Sequence, residues 1–198
     1  IPHGESRSFK FKKRKIGMKK KIELLYVSTI DFYKNQNLII LALKDLNKHF
    51  NVNLNLVGAI NKDYKYILDE LIDEHDLKDN VKFYGKVPYE NLPKIYNKND
   101  IKIHFSKSET FGMTMLEAMK CGLPVVSIKD DISKEILKNS GFYCKSSIKD
   151  INKIIFKIIN EGNILSKKIL IGQKISKNYK WKFTSKKTFA FLKEVSKV

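Results

Sequence analysis

The feature that most constrains this chain is an alternation. Short apolar runs of strand length recur between stretches whose apolar residues fall at helical spacing. Ile22–Val27, Val52–Val57, Val81–Tyr84, Ile101–Phe105, Pro124–Ile128 and Phe142–Tyr143 read as strands. Between them Leu38–Leu46, Tyr64–Ile72, a short segment opened by Pro88, Gly112–Lys120 and Ser133–Leu137 read as helices, with Gly122 as a stop signal. Strand–helix alternation of this kind predicts an α/β fold with a mainly parallel sheet and helices on both faces. From Ile148 onward the pattern is helical only. Ile151, Ile154, Ile155, Ile158 and Ile159 form one stripe, and Leu165–Lys177 and Trp181–Val195 continue it, so the C-terminal quarter is expected to be packed helices.

Sheets of this type bind ligands beyond the carboxyl ends of their strands, where the strand order reverses. The loops of interest therefore follow Val27, Val57, Tyr84, Phe105 and Ile128. The loop after Phe105 runs Ser106-Lys107-Ser108-Glu109-Thr110-Phe111-Gly112-Met113-Thr114 into a helix. Gly112 allows close approach of backbone to a ligand. The N–H groups of Gly112, Met113 and Thr114 would lack carbonyl partners at a helix start, which makes a site for an anion such as a diphosphate. Glu109 and Glu117 frame it. A carboxylate beside an anion site is suited to accept hydrogen bonds from sugar hydroxyls. The plainer alternative is that Glu109 is an acid at a helix start and Glu117 a solvated helix residue.

The string Ser108–Pro124, SETFGMTMLEAMKCGLP, followed by Val125-Val126, fixes the Glu spacing, the Phe-Gly turn, the Glu-Ala pair and the Cys-Gly-Leu-Pro exit together. It resembles the signature of the retaining glycosyltransferases of family four in their C-terminal, donor-binding domain. That family has the GT-B fold of two Rossmann-like domains and carries a Glu-x7-Glu pair. The resemblance extends along most of the chain. Ile1-Pro2-His3-Gly4 is similar to the family's interdomain connection, and Tyr26 to Gln36 to its first strand and loop. Phe83-Tyr84-Gly85-Lys86-Val87-Pro88 resembles the segment bordering the base. Glu135 and Trp181 fall at an acidic position and at the C-terminal tryptophan helix.

The resemblance implies a Rossmann-like three-layer domain over 21–198, the C-terminal half of a GT-B fold, preceded by an interdomain linker over 1–20. It implies transfer of a sugar from a UDP- or GDP-linked donor to an acceptor hydroxyl, with retention of configuration. Glu109 and Lys34 would carry the catalytic work, Glu109 holding sugar hydroxyls and Lys34 the diphosphate. Glu117 would hold the ribose, and Phe111, Gly112, Met113, Thr114, Ser28, Thr29 and Val87 would border the donor. Cofactors and metals are not implied. The acceptor glycan or lipid-linked saccharide would be bound by an N-terminal domain absent from this chain, so the chain alone is expected to bind nucleotide weakly and transfer nothing. Bacterial surface glycan synthesis, in the cytoplasm or peripheral on the inner face of the membrane, would be the setting. One departure stands out. The family usually has Gly-Arg where this chain has Ser28-Thr29, which leaves Lys34 without the bidentate fork of an arginine. Lys107 is a candidate to compensate, and a catalytically degenerate binding subunit is the alternative reading.

Length and composition bound the rest. A chain of 198 residues with 42% hydrophobic, 11% aromatic and 30% charged content has the makings of one folded domain and is unlike a disordered segment. The N-terminal stretch lacks the apolar core of a signal peptide, and the chain reads as part of something longer. The net charge of +18 comes almost wholly from lysine, alongside much Asn and Ile, as an A/T-rich coding sequence would give. It also admits an anionic membrane touching residues 10–21, or a nucleic-acid module, although no nucleic-acid-binding motif supports the latter. Cys121 and Cys144 have no metal or disulfide spacing and read as reduced thiols. His104 lies in an apolar run and reads as a satisfied core histidine. His3, His49 and His75 lack partner spacing.

Overall fold

The computed structural model describes residues 3–4, 8–14 and 21–196. Six strands, β1 (Ile22–Val27), β2 (Val52–Val57), β3 (Val81–Gly85), β4 (Ile101–His104), β5 (Val125–Ile128) and β6 (Phe142–Cys144), form one sheet in the order β3-β2-β1-β4-β5-β6. Every neighbouring pair is parallel. The central strands are buried on both faces, beneath helices on either side. On one face Leu24, Tyr26, Leu54, Leu56, Ile101 and Ile103 pack against α1 (Gln36–Leu46), α2 (Lys62–Glu74) and α6 (Ile148–Asn160). On the other, Leu25, Val27, Val57 and Val125 pack against α3 (Leu92–Lys98), α4 (Met113–Cys121) and α5 (Asp131–Leu137). The expected α/β, Rossmann-like three-layer architecture is therefore present. The chain runs outward from β1 through β2 to β3, then returns to place β4 on the other side of β1. The order reverses there, and the loops after β1 and β4 diverge around a crevice.

Three local readings change. The helix expected from Ser133 begins at Asp131. Asp130 caps it, accepting from Ser133 N–H, while the Ser133 hydroxyl reaches back to Asp130 N–H, so Ser133 is the third residue of a capping box. The segment opened by Pro88 is first a single 3-10 turn, Tyr89–Asn91, and only then α3. The packed C-terminal quarter holds for α6, with Ile151, Ile155, Ile158 and Ile159 buried, and for α7 (Gly162–Ser176). It does not hold for α8 (Trp181–Val195), which buries none of its residues and leaves Trp181, Phe189 and Leu192 half exposed.

The linker expected over 1–20 is only partly visible. Ile1, Pro2, Arg7, Lys15, Lys19 and Lys20 lie outside the described residues. Residues 8–14, however, are a strap laid on the domain. Phe9 is buried between Tyr89 and Tyr96. Lys12 N–H donates to the Cys121 carbonyl at 3.1 Å and its Nζ to the Asn97 carbonyl at 2.9 Å. Arg14 is buried, and its guanidinium donates to the carbonyls of Tyr96, Asn99, Cys121 and Gly122 at 2.6–3.2 Å. Those carbonyls belong to the last turns of α3 and α4 and the residues just after them, where helix carbonyls lack partners and a cation suits the dipole. A planar fork reaches several acceptors at once; an ammonium does not. Arg14→Lys is therefore expected to cost about 1–2 kcal/mol of stability in urea denaturation. An unchanged midpoint would count against the clamp.

Candidate functional site

The crevice at the strand-order reversal holds a pocket of about 290 Å³ lined by His3, Val27, Ser28, Thr29, Tyr33, Lys34, Glu109, Thr110, Phe111, Gly112, Met113 and Thr114. One wall is the loop between β1 and α1; the other is the loop between β4 and α4. Three fastenings set their separation. Tyr26, buried on β1, donates its hydroxyl to the Lys34 carbonyl at 2.5 Å and accepts Phe105 N–H at 2.9 Å. Asn35 adopts the left-handed conformation, φ 53°, and its amide donates to the Phe105 carbonyl at 2.9 Å. Gln36 donates to the Ser28 hydroxyl at 3.1 Å and the Thr29 carbonyl at 2.9 Å. The floor under Ser28 needs glycine. A Cβ on Gly58 would stand 1.8 Å from the Ser28 carbonyl oxygen, and its φ of 148° suits no other residue.

Lys34 is buried, and its ammonium donates to Glu109 Oε1 at 2.6 Å, Ser106 Oγ at 3.0 Å and the Ser108 carbonyl at 3.3 Å. The ammonium also lies 4.6 Å from the centre of the Tyr33 ring. Glu109 thus reaches across the pocket to the first loop. Gly112 caps α4 at φ 83°, and a Cβ there would stand 2.3 Å from Met115 Cε. Met113 and Thr114 open the helix, so the first N–H groups of α4 point along the pocket wall, where they favour negative charge. The pocket therefore offers a cation and a helix start for an anion, with a carboxylate acceptor beside them.

Of the residues singled out from sequence, the pocket brings together Lys34, Glu109, Phe111, Gly112, Met113, Thr114, Ser28 and Thr29. Glu117 and Val87 do not line it. Glu117 is 3% exposed, which rules out a solvated helix residue. Its Oε2 accepts the Tyr96 hydroxyl at 2.8 Å and its Oε1 the Tyr89 hydroxyl at 3.1 Å. Burial raises the Glu117 pKa, and the two tyrosine hydrogen bonds and Lys102 oppose the rise. Val87 is half-buried and packs on the α3–α4 side of the sheet. Lys107 is exposed and does not line the pocket, so the place of the missing arginine is not filled from there. Glu135 is also exposed.

Sequence reasoning missed several participants. His3 and Tyr33 line the pocket, and His3 meets Phe111 edge-on at 5.0 Å and Trp181, the first residue of α8, at 6.0 Å. Neither had a spacing that marked it. Lys102 and His104 alternate with Ile101 and Ile103 on β4 and are buried beneath the site. Lys102 is 0% exposed; its Nζ donates to the Ile103 carbonyl at 2.6 Å and lies 4.9 Å from the Tyr26 ring centre. Burial pulls its pKa down to about 7, against the pull of Glu109 and Glu117. His104 is a core residue, as expected, yet not a satisfied one: its Nδ1 is buried without a hydrogen-bond partner. Its Nε2 lies 3.7 Å from Glu109 Oε1, and burial pushes its pKa well below the usual range, so this is a neutral imidazole beside a carboxylate. Both cysteines are buried free thiols. Among the described residues no group of three or more His, Cys, Asp or Glu stands together as a metal site. No helix among them is long and apolar enough to cross a membrane.

Comparison with known proteins gives this geometry a context. The GPI3 subunit of phosphatidylinositol N-acetylglucosaminyltransferase from Saccharomyces cerevisiae is 29% identical over 133 residues, 64% of this chain and 29% of that protein. The fold is that of Alr3699/HepE from Anabaena, solved with UDP-glucose (TM-score 0.81, 24% identity, 88% of this chain and 49% of that one). It is also that of sucrose-phosphate synthase from Thermosynechococcus elongatus (TM-score 0.86, 19% identity, 98% of this chain and 52% of that one). The chain thus spans less than a third of the curated relative and about half of each solved neighbour. The sequence model described as "Glycosyl transferases group 1" matches residues 7–174, and it is to this family of glycosyl transferases that the chain belongs.

Proposed function

We propose that this chain is the donor-binding, C-terminal half of a two-domain GT-B glycosyltransferase, taking a UDP- or GDP-linked sugar for retaining transfer to an acceptor hydroxyl. The observation that carries this reading is the meeting of Lys34, Glu109 and the start of α4 on one pocket at the strand-order reversal. The departing diphosphate would be held by Lys34 and the N–H groups of Gly112–Thr114, preorganised donors aimed at developing charge. Glu109 would accept sugar hydroxyls, Glu117 the ribose diol, and Val87 would border the base. In this reading protein groups, with no metal or cofactor, meet the phosphate charge. Coverage of about half of the solved neighbours supports an acceptor site on a second domain, serving a glycan or lipid-linked saccharide. A cytoplasmic setting at a membrane surface fits nucleotide sugars and the lysine-rich charge.

Isothermal titration with UDP, GDP and their sugar conjugates tests this. Saturable binding to one base and no sugar transfer by the chain alone are expected. No saturable binding to either nucleotide would sink the reading. One observation favours a second possibility, a binding subunit without catalysis: Ser28 and Thr29 line the pocket where the family usually has Gly-Arg, and no other arginine reaches it among the described residues. Nucleotide binding without transfer, even when the acceptor-binding half is supplied, would support that alternative.

A further inference from the structure

The ribose role proposed for Glu117 meets an obstacle. The carboxylate is buried, stands outside the pocket, and each of its oxygens already accepts a tyrosine hydroxyl. The two tyrosines differ in kind. Tyr96 belongs to α3, is 0% exposed, and its hydroxyl also lies 3.3 Å from the Thr114 carbonyl oxygen; it is part of the core. Tyr89 is 47% exposed and sits on the single 3-10 turn after Pro88, with its ring edge-on to Phe9. It is the outer cover of Glu117.

We propose that Tyr89 is a placeholder: its hydroxyl occupies, on Glu117 Oε1, the position that a ribose hydroxyl takes when nucleotide binds. The inference rests on the donor-binding reading above. A buried carboxylate oxygen without a donor is costly, so the empty domain needs a substitute for the ligand's hydroxyl. A phenol is a fitting one, being a hydroxyl donor like the ribose group it stands in for. Binding then exchanges one O–H donor for another, and Tyr89, half exposed on a one-turn element, swings aside while Tyr96 stays and keeps Glu117 oriented. The exchange has a consequence that a purely structural tyrosine lacks: Tyr89 competes with the ribose and weakens nucleotide binding. A nucleotide without ribose hydroxyls has nothing to offer Glu117 and leaves Tyr89 in place.

The test is a titration of the parent chain, Tyr89→Phe and Tyr96→Phe with whichever of UDP or GDP the parent binds, and with its 2′,3′-dideoxy counterpart. Tyr89→Phe keeps the ring against Phe9 and removes only the hydroxyl. It is expected to tighten the ribonucleotide about five- to tenfold and to leave the dideoxy form unchanged within about twofold. Tyr96→Phe is expected to weaken the ribonucleotide, because Glu117 loses the donor that orients it. Unchanged or weaker ribonucleotide binding in Tyr89→Phe would overturn the proposal. Equal gains for both nucleotides would also overturn it, since Tyr89 would then move whatever the ligand offers. If the parent binds neither nucleotide, the donor-binding reading itself fails, a result distinct from both.

Discussion

Lys34→Met is expected to lower the affinity for UDP or GDP by about 10- to 100-fold in isothermal titration, the range of one lost hydrogen bond to a charged group. Among the described residues it is the sole lysine or arginine lining the pocket, and the family's usual arginine is Thr29 here. The structure makes the prediction sharper by giving Lys34 a competitor. Its ammonium is held 2.6 Å from Glu109. A diphosphate must share or break that pair. Glu109→Gln should therefore act in the opposite direction on the bare nucleotide, leaving UDP binding equal or tighter because Lys34 is released. It should reduce the extra affinity that the sugar of a nucleotide sugar provides. If both variants weaken UDP to the same degree, the pair is a structural tie between two loops and not a pair of ligand-binding groups.

Lys102→Met is expected to stabilise the chain by roughly 1–4 kcal/mol at neutral pH, the range found when buried charges give way to apolar side chains. Lys102 is fully buried on β4, and its ammonium donates to the carbonyl of its own neighbour, Ile103. Its folded pKa of about 7 lies below the ordinary lysine value of 10.5. Between those values the unfolded chain holds a proton that the folded chain has released. Unfolding then takes up a proton, and stability from this group rises as pH rises. Below about pH 7 the cost is fully present; above about pH 10 it is gone. Urea denaturation of parent and variant should therefore show a margin in favour of Lys102→Met that shrinks from about pH 7 to about pH 9.5. A variant less stable than the parent at neutral pH, or a margin flat across that range, would show that the buried ammonium is compensated.

What was legible in the sequence was what periodicity and local backbone chemistry encode. The strand–helix alternation gave the parallel sheet, and with it the crevice at the strand-order reversal. The Glu109–Gly112 turn gave one pocket wall in detail, because a glycine before a helix and a carboxylate in a loop act locally. The second wall was read only through family likeness, yet Lys34 is on it. The losses were long-range. Nothing near Glu117 in sequence announces that Tyr89 and Tyr96, on another segment, hold its two oxygens. Lys102 and His104 interrupt an apolar strand, so the pattern marks them as exceptions; their position beneath Glu109 comes from tertiary packing. The course of the strap was not legible because composition counts lysines, whereas Phe9 and Arg14 decide where it lies. The exposed face of α8 was misjudged for the converse reason: helical spacing of apolar residues predicts a face to be covered, and says nothing about which surface covers it.

The strap and the pocket share one helix. Residues 8–14 grip α4 at its carboxyl end, through Lys12, Arg14 and the carbonyls of Cys121 and Gly122. The amino end of the same helix stands in the pocket. α4, nine residues long, therefore joins the strap at one end to the pocket at the other. The fastening of residues 8–14 and one wall of the pocket thus depend on a single helix, and the two cannot be placed independently.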